Sequence, residues 1–279
     1  MNVLLKRPGI FGRSYTALIL FFLYAPIFIL IIFSFNSTRS RSIWTGFTFD
    51  WYRSLFFDSS IMNAFYTTII IALISAVVAT IAGTFAAVGF HNMRSRWRTP
   101  LVHINNIPMM NADIATGVSL SLLFISLGSV LRFNLGFGTL LLAHIIFNIP
   151  YVVLSITPKL RQLDNNLVDA ACDLGCTWIK AFWKVIVPEI MPGIINGLII
   201  AFTLSIDDFV ISYFTAGGNV MTLPMQIFAM TRRRISPEIN ALSTILFLTV
   251  LALLIIINVR EARQEDRLKE RLKERGKTK

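Results

Sequence analysis

Long apolar runs alternate with shorter polar stretches along the whole chain. A bilayer core about 30 Å thick needs roughly 20 apolar helical residues to cross it. Six runs predict spans at Tyr15–Phe35, Ala64–Phe90, Pro108–Leu127, Thr139–Ile156, Gly193–Phe214 and Ala241–Val259. The third is the weakest, because Asn111, Asp113 and several Ser and Thr interrupt it. The first follows a basic flank of Lys6, Arg7 and Arg13, as a signal peptide would. Its apolar run is too long for a signal, and no Ala-x-Ala-like site follows, so it reads as an uncleaved helix. In the second span Ser75, Ala79, Gly83 and Ala87 recur every four residues. Such a ridge of small residues lets another helix approach closely in lipid.

The long polar stretch from Pro158 to Pro192 separates the fourth and fifth spans. Leu163, Leu167, Ala170, Ala171 and Leu174 predict a short amphipathic helix, with Gly175 as its stop. Ile179, Phe182, Trp183 and Ile186 predict a second short helix over residues 177–187, ended by Pro188. Apolar faces on such helices suit docking onto a partner, or packing on the protein's own bundle.

Composition agrees with a polytopic membrane protein. Of the 279 residues 55% are hydrophobic and 15% are charged, where a soluble domain has about 25% charged. Secreted, collagen-like, disordered and disulfide-scaffold classes are excluded. The net charge of +11 would suit a nucleic-acid binder, but its distribution explains it otherwise. With six spans both termini share one side. Placing them in the cytoplasm puts nineteen Lys and Arg inside and seven outside, as the positive-inside rule requires. The run Arg232–Arg234 is the one feature against that orientation. No nucleic acid is needed to account for the charge. The tail from Arg260 reads as a charged helix continuing the last span, with contact to anionic lipid as the alternative.

Three carboxylates lie at membrane depth: Asp113, Asp207 and Asp208. Each costs at least about 2.5–3.5 kcal/mol on insertion scales, so each is expected to face a cavity or a partner. Asp113 reads either as such a group or as a wet residue at a frayed helix start. Asp207 and Asp208 point about 100° apart on a helix, so one is expected to face a substrate path and the other a neighbouring helix. Ser205 is a weaker candidate for the path, because Ser is cheap in a helix. Negative groups there fit a cationic cargo and would repel sulfate or phosphate. Pro108, between Asn105/Asn106 and Asn111, reads equally as a helix break or a loop end. No Walker A pattern occurs, so ATP would be hydrolysed by another chain. Cys172 and Cys176 make no zinc site, and His91, His103 and His144 are scattered. No enzyme, metal or cofactor is expected in this chain.

Asp169-Ala170-Ala171, three residues, Gly175, nine residues and Val185-Ile186-Val187-Pro188 resembles the EAA loop of binding-protein-dependent ABC importer permeases. Three positions depart conservatively from that pattern: Asp169 for Glu, and Val185 and Val187 for Ile and Leu. Phe202–Phe214, Leu223-Pro224 and Ser236–Ile245 resemble the spermidine/putrescine branch of the family, in the second of its two membrane subunits. Related iron and opine permeases share parts of this pattern. The resemblance covers roughly residues 60–258. It implies an all-α membrane protein with a type I ABC importer permease (MetI-like) fold and both termini cytoplasmic. Residues 1–62 would hold the first helix and outer loop, and 63–259 the transmembrane domain with its coupling loop at 158–192. Residues 260–279 would form the tail. The chain would lie in a bacterial inner membrane. It would pair with a second permease subunit, two ATPase subunits that carry ATP and Mg, and a periplasmic binding protein. Asp169, Ala170, Ala171, Gly175 and Pro188 would belong to ATPase coupling. An ATPase-independent secondary transporter is the alternative class, and it has no use for such a loop.

Overall fold

The computed structural model describes residues 10–38, 43–164, 167, 170–171, 173–233 and 237–277. Among them no strand forms, beyond one antiparallel bridge between Asn36 and Phe47. The helices bounded by described residues follow in order: α1 (Ile10–Phe33), α2 (Asp50–Phe57), α3 (Ser59–Asn92), α4 (Ser95–Met110) and α5 (Asp113–Leu131). They continue as α6 (Phe137–Gln162), α7 (Trp178–Asp207), α8 (Val210–Thr215), α9 (Leu223–Arg233) and α10 (Pro237–Lys277). Helices α1, α3, α5, α6, α7 and α10 are long and apolar enough to cross a bilayer. The last runs on past its apolar part to Lys277.

Two predicted spans are corrected. The third does not begin at Pro108. Pro100 and Pro108 lie inside α4, and the chain is extended at Asn111 and Ala112 before α5 starts at Asp113. An acidic residue in a first turn complements the helix dipole there. The fifth does not run from Gly193 to Phe214. It starts at Trp178 and ends at Asp207, and α8 follows as a separate short helix.

Pro188 does not stop a loop helix as expected; the helix passes straight into the span. The turn over Phe182–Ile186 is π-helical, and the Val187 amide donates to the Phe182 carbonyl five residues back. One extra residue in the turn makes room for the proline ring and its missing donor. Of the first predicted loop helix, Asp169 and Cys172 lie outside the described residues. Its end is seen. The amides of Leu174 and Cys176 donate to the carbonyls of Ala170 (3.1 Å) and Ala171 (3.0 Å), while Gly175 takes φ +84°. This is a Schellman close, in which the left-handed position favours glycine.

The chain divides into two compact units, Met1–Ser59 with Ile227–Phe247, and Ser60–Gln226 with Leu248–Lys279. In the first, buried Asn36 organises the segment after α1. Its side chain donates to the Ile43 carbonyl (2.9 Å) and accepts from the Thr45 amide (3.0 Å), and its carbonyl accepts from the Trp51 ring (2.7 Å). Phe35 stacks beside it on Phe47 and Tyr52, each at 5.1 Å.

The second unit is built on α6. Val152, Ile156 and Leu160 of α6 meet Ala76, Ala87 and Val88 of α3 and Phe182, Ile186, Ile190 and Ala201 of α7. Small residues bring the backbones together. All four members of the Ser75, Ala79, Gly83 and Ala87 ridge are buried. A Cβ added at Gly83 would lie 2.7 Å from Val152 Cγ1, and one at Gly197 would lie 3.2 Å from the same atom. Gly193 comes as close to Ser155 and Ile156, and Ser155 Oγ donates to the Gly193 carbonyl (3.0 Å). Van der Waals packing of this kind drives helix association in lipid.

Gly83→Ala is expected to lower the melting temperature of the purified protein in detergent, with the cost of about 1–3 kcal/mol that overpacking carries. At Gly89 an added Cβ meets nothing within 4 Å, so Gly89→Ala is expected to leave melting unchanged or raise it. Equal losses in the two variants would contradict a tight α3–α6 contact.

Candidate functional site

Helix α7 breaks at Asp208, which has extended backbone (φ −64°, ψ 121°) before α8 begins at Val210. A break in a membrane span frees polar backbone groups that lipid cannot satisfy. The Asp208 carboxylate takes them up. Oδ1 accepts from the Ile211 amide (3.2 Å), and Oδ2 accepts from the Ser212 amide (2.8 Å) and the Ser212 hydroxyl (2.9 Å). Its side chain is 9% exposed and lies 3.6 Å from His144 Nε2. Asp208 therefore acts as the cap that restarts the helix.

Behind it lies a buried polar network. His144 Nε2 is 3.0 Å from Ser212 Oγ, and Nδ1 is 3.1 Å from Ser205 Oγ. Ser205 Oγ also accepts from Asn148 Nδ2 (2.8 Å) and lies 3.0 Å from Ser75 Oγ. One direction of donation satisfies this line: Asn148 to Ser205, Ser205 to His144 Nδ1, His144 Nε2–H to Ser212, and Ser212 to Asp208. Ser205 thus joins α3, α6 and α7 at a buried point and faces neighbouring helices rather than any opening. His144 is not isolated, as its position in sequence implied. It joins Asp208 and Ser205, yet all three are held by other partners and packed away from solvent.

Asp207 differs. It is the last residue of α7 and is exposed, as is Asp113 in the first turn of α5. The two carboxylates lie within electrostatic reach of one another, and Tyr151 of α6 lies within reach of Asp113. Neither Asp113 nor Asp207 forms an ion pair among the described residues. The packing that places Asp113 is tight: at Gly117, one turn on, a Cβ would sit 3.0 Å from Phe214 and 3.4 Å from the Val210 carbonyl. Two open carboxylates within electrostatic reach of one another are chemically suited to ammonium groups, through charge.

Sequence reasoning missed His144, Asn148, Ser212 and Tyr151. A signal was present: His144, Asn148 and Tyr151 recur at four- and three-residue spacing on one face of an apolar helix. On the loop, Gly175 closes its helix as described, and Ala170 and Ala171 supply the carbonyls for that close. Leu174 is 88% exposed, and Trp178, Ile179 and Trp183 are exposed too. Pro188 lies inside α7. Among the described residues no three His, Cys, Asp or Glu form a metal-binding group.

Residues 79–270 match the family described as the binding-protein-dependent transport system inner membrane component. The chain is 41% identical over 228 residues to the putrescine transport system permease protein PotI of Escherichia coli strain K12, covering 81% of each. It is 37% identical over 235 residues to the spermidine/putrescine transport system permease protein PotC of Haemophilus influenzae, covering 84% of this chain and 90% of that one. Among solved structures it is similar in fold to a chain of a bacterial ABC transporter involved in import of the acidic polysaccharide alginate. That match has a TM-score of 0.68 at 16% identity and covers 90% of this chain and 95% of that one. The six apolar helices and these matches agree, and the chain belongs to the family of binding-protein-dependent inner membrane components, the multi-pass permeases of ABC importers.

Proposed function

We propose that the chain is one permease subunit of an ATP-driven polyamine importer, taking spermidine or putrescine. The observation that carries this reading is that Asp207, at the break between α7 and α8, and Asp113, in the first turn of α5, are both exposed, lie within electrostatic reach of one another and have no ion-pair partner among the described residues. Polyamines are flexible polycations, and a few spaced carboxylates bind them without trapping them, as conduction requires. The similarity to permeases named for putrescine and spermidine supports the same cargo. Asp207 and Asp113 meet the ammonium groups in this reading. Asp208 and Ser205 hold the broken helix in place.

The subunit would form half of the pathway, with a second permease chain forming the other half. A periplasmic binding protein delivers the polyamine. Residues 63–259 form the transmembrane domain, and 260–279 form a cytoplasmic tail. Of the expected loop 158–192, residues 158–162 end α6 and residues 178–192 begin α7; the connection between them, with the first turns of α7, seats on a separate ATPase, which holds ATP and Mg. Exposed Leu174, Trp178, Ile179 and Trp183 supply an apolar surface for that seat. Closure of the ATPase moves the loop. Because the helix that starts at Trp178 runs unbroken to Asp207, that movement is carried to the acidic site by one rigid element.

Asp207→Asn is expected to lower uptake of labelled spermidine at least about tenfold at matched membrane levels, the order of one lost charge-assisted contact. The measurement is made in cells carrying the whole transporter. Putrescine should compete and sulfate should not. Asp208→Ala should instead lower the melting temperature, by the loss of about 1–2 kcal/mol expected for a helix cap. Spermidine and putrescine uptake independent of this chain would move the cargo to another small solute.

Gly175→Val should reduce recovery of the ATPase chain on co-purification, because a branched residue at φ +84° is strained by about 1–2 kcal/mol. Nothing lies within 4 Å of a Cβ there, so Gly175→Asn should retain the partner. Undiminished ATPase recovery and uptake with the valine variant would sink the docking role.

A further inference from the structure

A second site lies away from the acidic one, where the ends of α3 and α6 meet the first turns of α4. A cavity of about 400 Å³ opens there, lined by His91, Arg98, His103 and Arg161 together with Ser95 and Thr99. Among the described residues no carboxylate lines it. Neither Arg98 nor Arg161 has an ion-pair partner among the described residues, and both act electrostatically on the His91 ring. Gathering these groups costs repulsion unless an anion sits among them. Ser95, Arg98 and Thr99 belong to the start of the sixteen-residue helix α4, whose free amides and dipole favour the same sign of ligand. Buried Ala87 and Leu160 of the helix core, with Phe90 and Val102, form the apolar part of the lining.

A second opening of about 340 Å³ shares Thr157 and Arg161 with the first and continues along Leu154 and Pro158. Leu154 is 54% exposed. A basic pocket running into an apolar groove has the layout of a phospholipid, headgroup to tail. A soluble phosphate would use the pocket alone and leave the groove unexplained. We infer that this junction of α3, α4 and α6 binds one anionic phospholipid. Its phosphate lies between Arg98, Arg161 and His91, and an acyl chain lies along Leu154 and Pro158. On the orientation argued from the Lys and Arg distribution, this end meets the cytoplasmic leaflet, where anionic headgroups are concentrated and basic pockets between helices receive them. Lipid held there would brace the end of α6 from which the loop to α7 departs.

The test is native mass spectrometry of the purified full-length protein in detergent, titrated with dioleoylphosphatidylglycerol or dioleoylphosphatidylcholine. The wild type is expected to retain one phosphatidylglycerol per chain and to release phosphatidylcholine. The double variant Arg98→Gln/Arg161→Gln should retain phosphatidylglycerol roughly thirtyfold more weakly, as expected for two arginines neutralised near an anionic headgroup. Arg94→Gln/Arg96→Gln removes the same charge outside the pocket and should behave as wild type. Arg98→Lys/Arg161→Lys keeps the charge and should recover most of the retention. Equal retention of the two lipids by the wild type would overturn the site whatever the variants do. So would undiminished retention by a folded glutamine variant. Displacement of phosphatidylglycerol by inorganic phosphate or by deacylated glycerophosphoglycerol would assign the pocket to a soluble anion and overturn the lipid.

Discussion

Inside a bilayer no water is present to satisfy a freed amide or carbonyl, and this constraint governs the centre of the molecule. The fifth membrane helix stops at Asp207 and restarts at Val210. It can do so because the Asp208 carboxylate accepts from two amides and a hydroxyl of the helix that follows. His144 stands behind that carboxylate, and Ser205, Asn148 and Ser75 stand behind His144. Removing Asp208 would leave the Ile211 and Ser212 amides without the acceptor that holds them, which in this setting costs more than the bond itself contributes. The network therefore settles where α3, α6, α7 and α8 meet.

The break also separates two adjacent carboxylates into two kinds of work. On an unbroken helix Asp207 and Asp208 would differ only by the rotation of one residue. Here Asp208 turns into the protein as a cap, while Asp207 is left at the open end of α7, exposed like Asp113 of α5. The backbone is thus satisfied by one carboxylate while its neighbour is left free of that work. In the proposed reading, that division lets Asp207 meet cargo without making the fold depend on what occupies the site.

Close helix contacts make the arrangement stiff. Val152 sits between Gly83 and Gly197, and Gly193 lies against Ser155 and Ile156. The π-helical turn at Phe182–Ile186 lets Pro188 be absorbed, so the loop side of α7 and its broken end belong to one continuous rod. A rod of this kind suits transmission of a movement from one end of a span to the other. The basic cavity beside the end of α6 stands next to the start of the loop that precedes this rod.

The six spans, their approximate places and the small-residue ridge of α3 were legible in the sequence. Apolar length and four-residue spacing report directly on bilayer thickness and helix pitch. The Ala-Ala-x₃-Gly spacing likewise marked the loop, because a glycine past the end of an amphipathic helix has a local backbone reason that needs no tertiary information. The end of the fifth span was not legible, since Asp-Asp followed by apolar residues reads as one helix until Asp208 is seen to accept from Ile211 and Ser212. The beginning of the third was misplaced for a related reason: prolines at 100 and 108 are tolerated inside α4, and the true break falls at Asn111 and Ala112. His144 and Ser205, sixty-one positions apart, have no local signature of their pairing. Spans, small-residue faces and the loop close follow from short-range periodicity and were determined by the sequence by itself. Which of two neighbouring carboxylates is spent on the backbone and which is left open was decided only by the tertiary structure, because it depends on what distant helices bring to each side of one peptide unit.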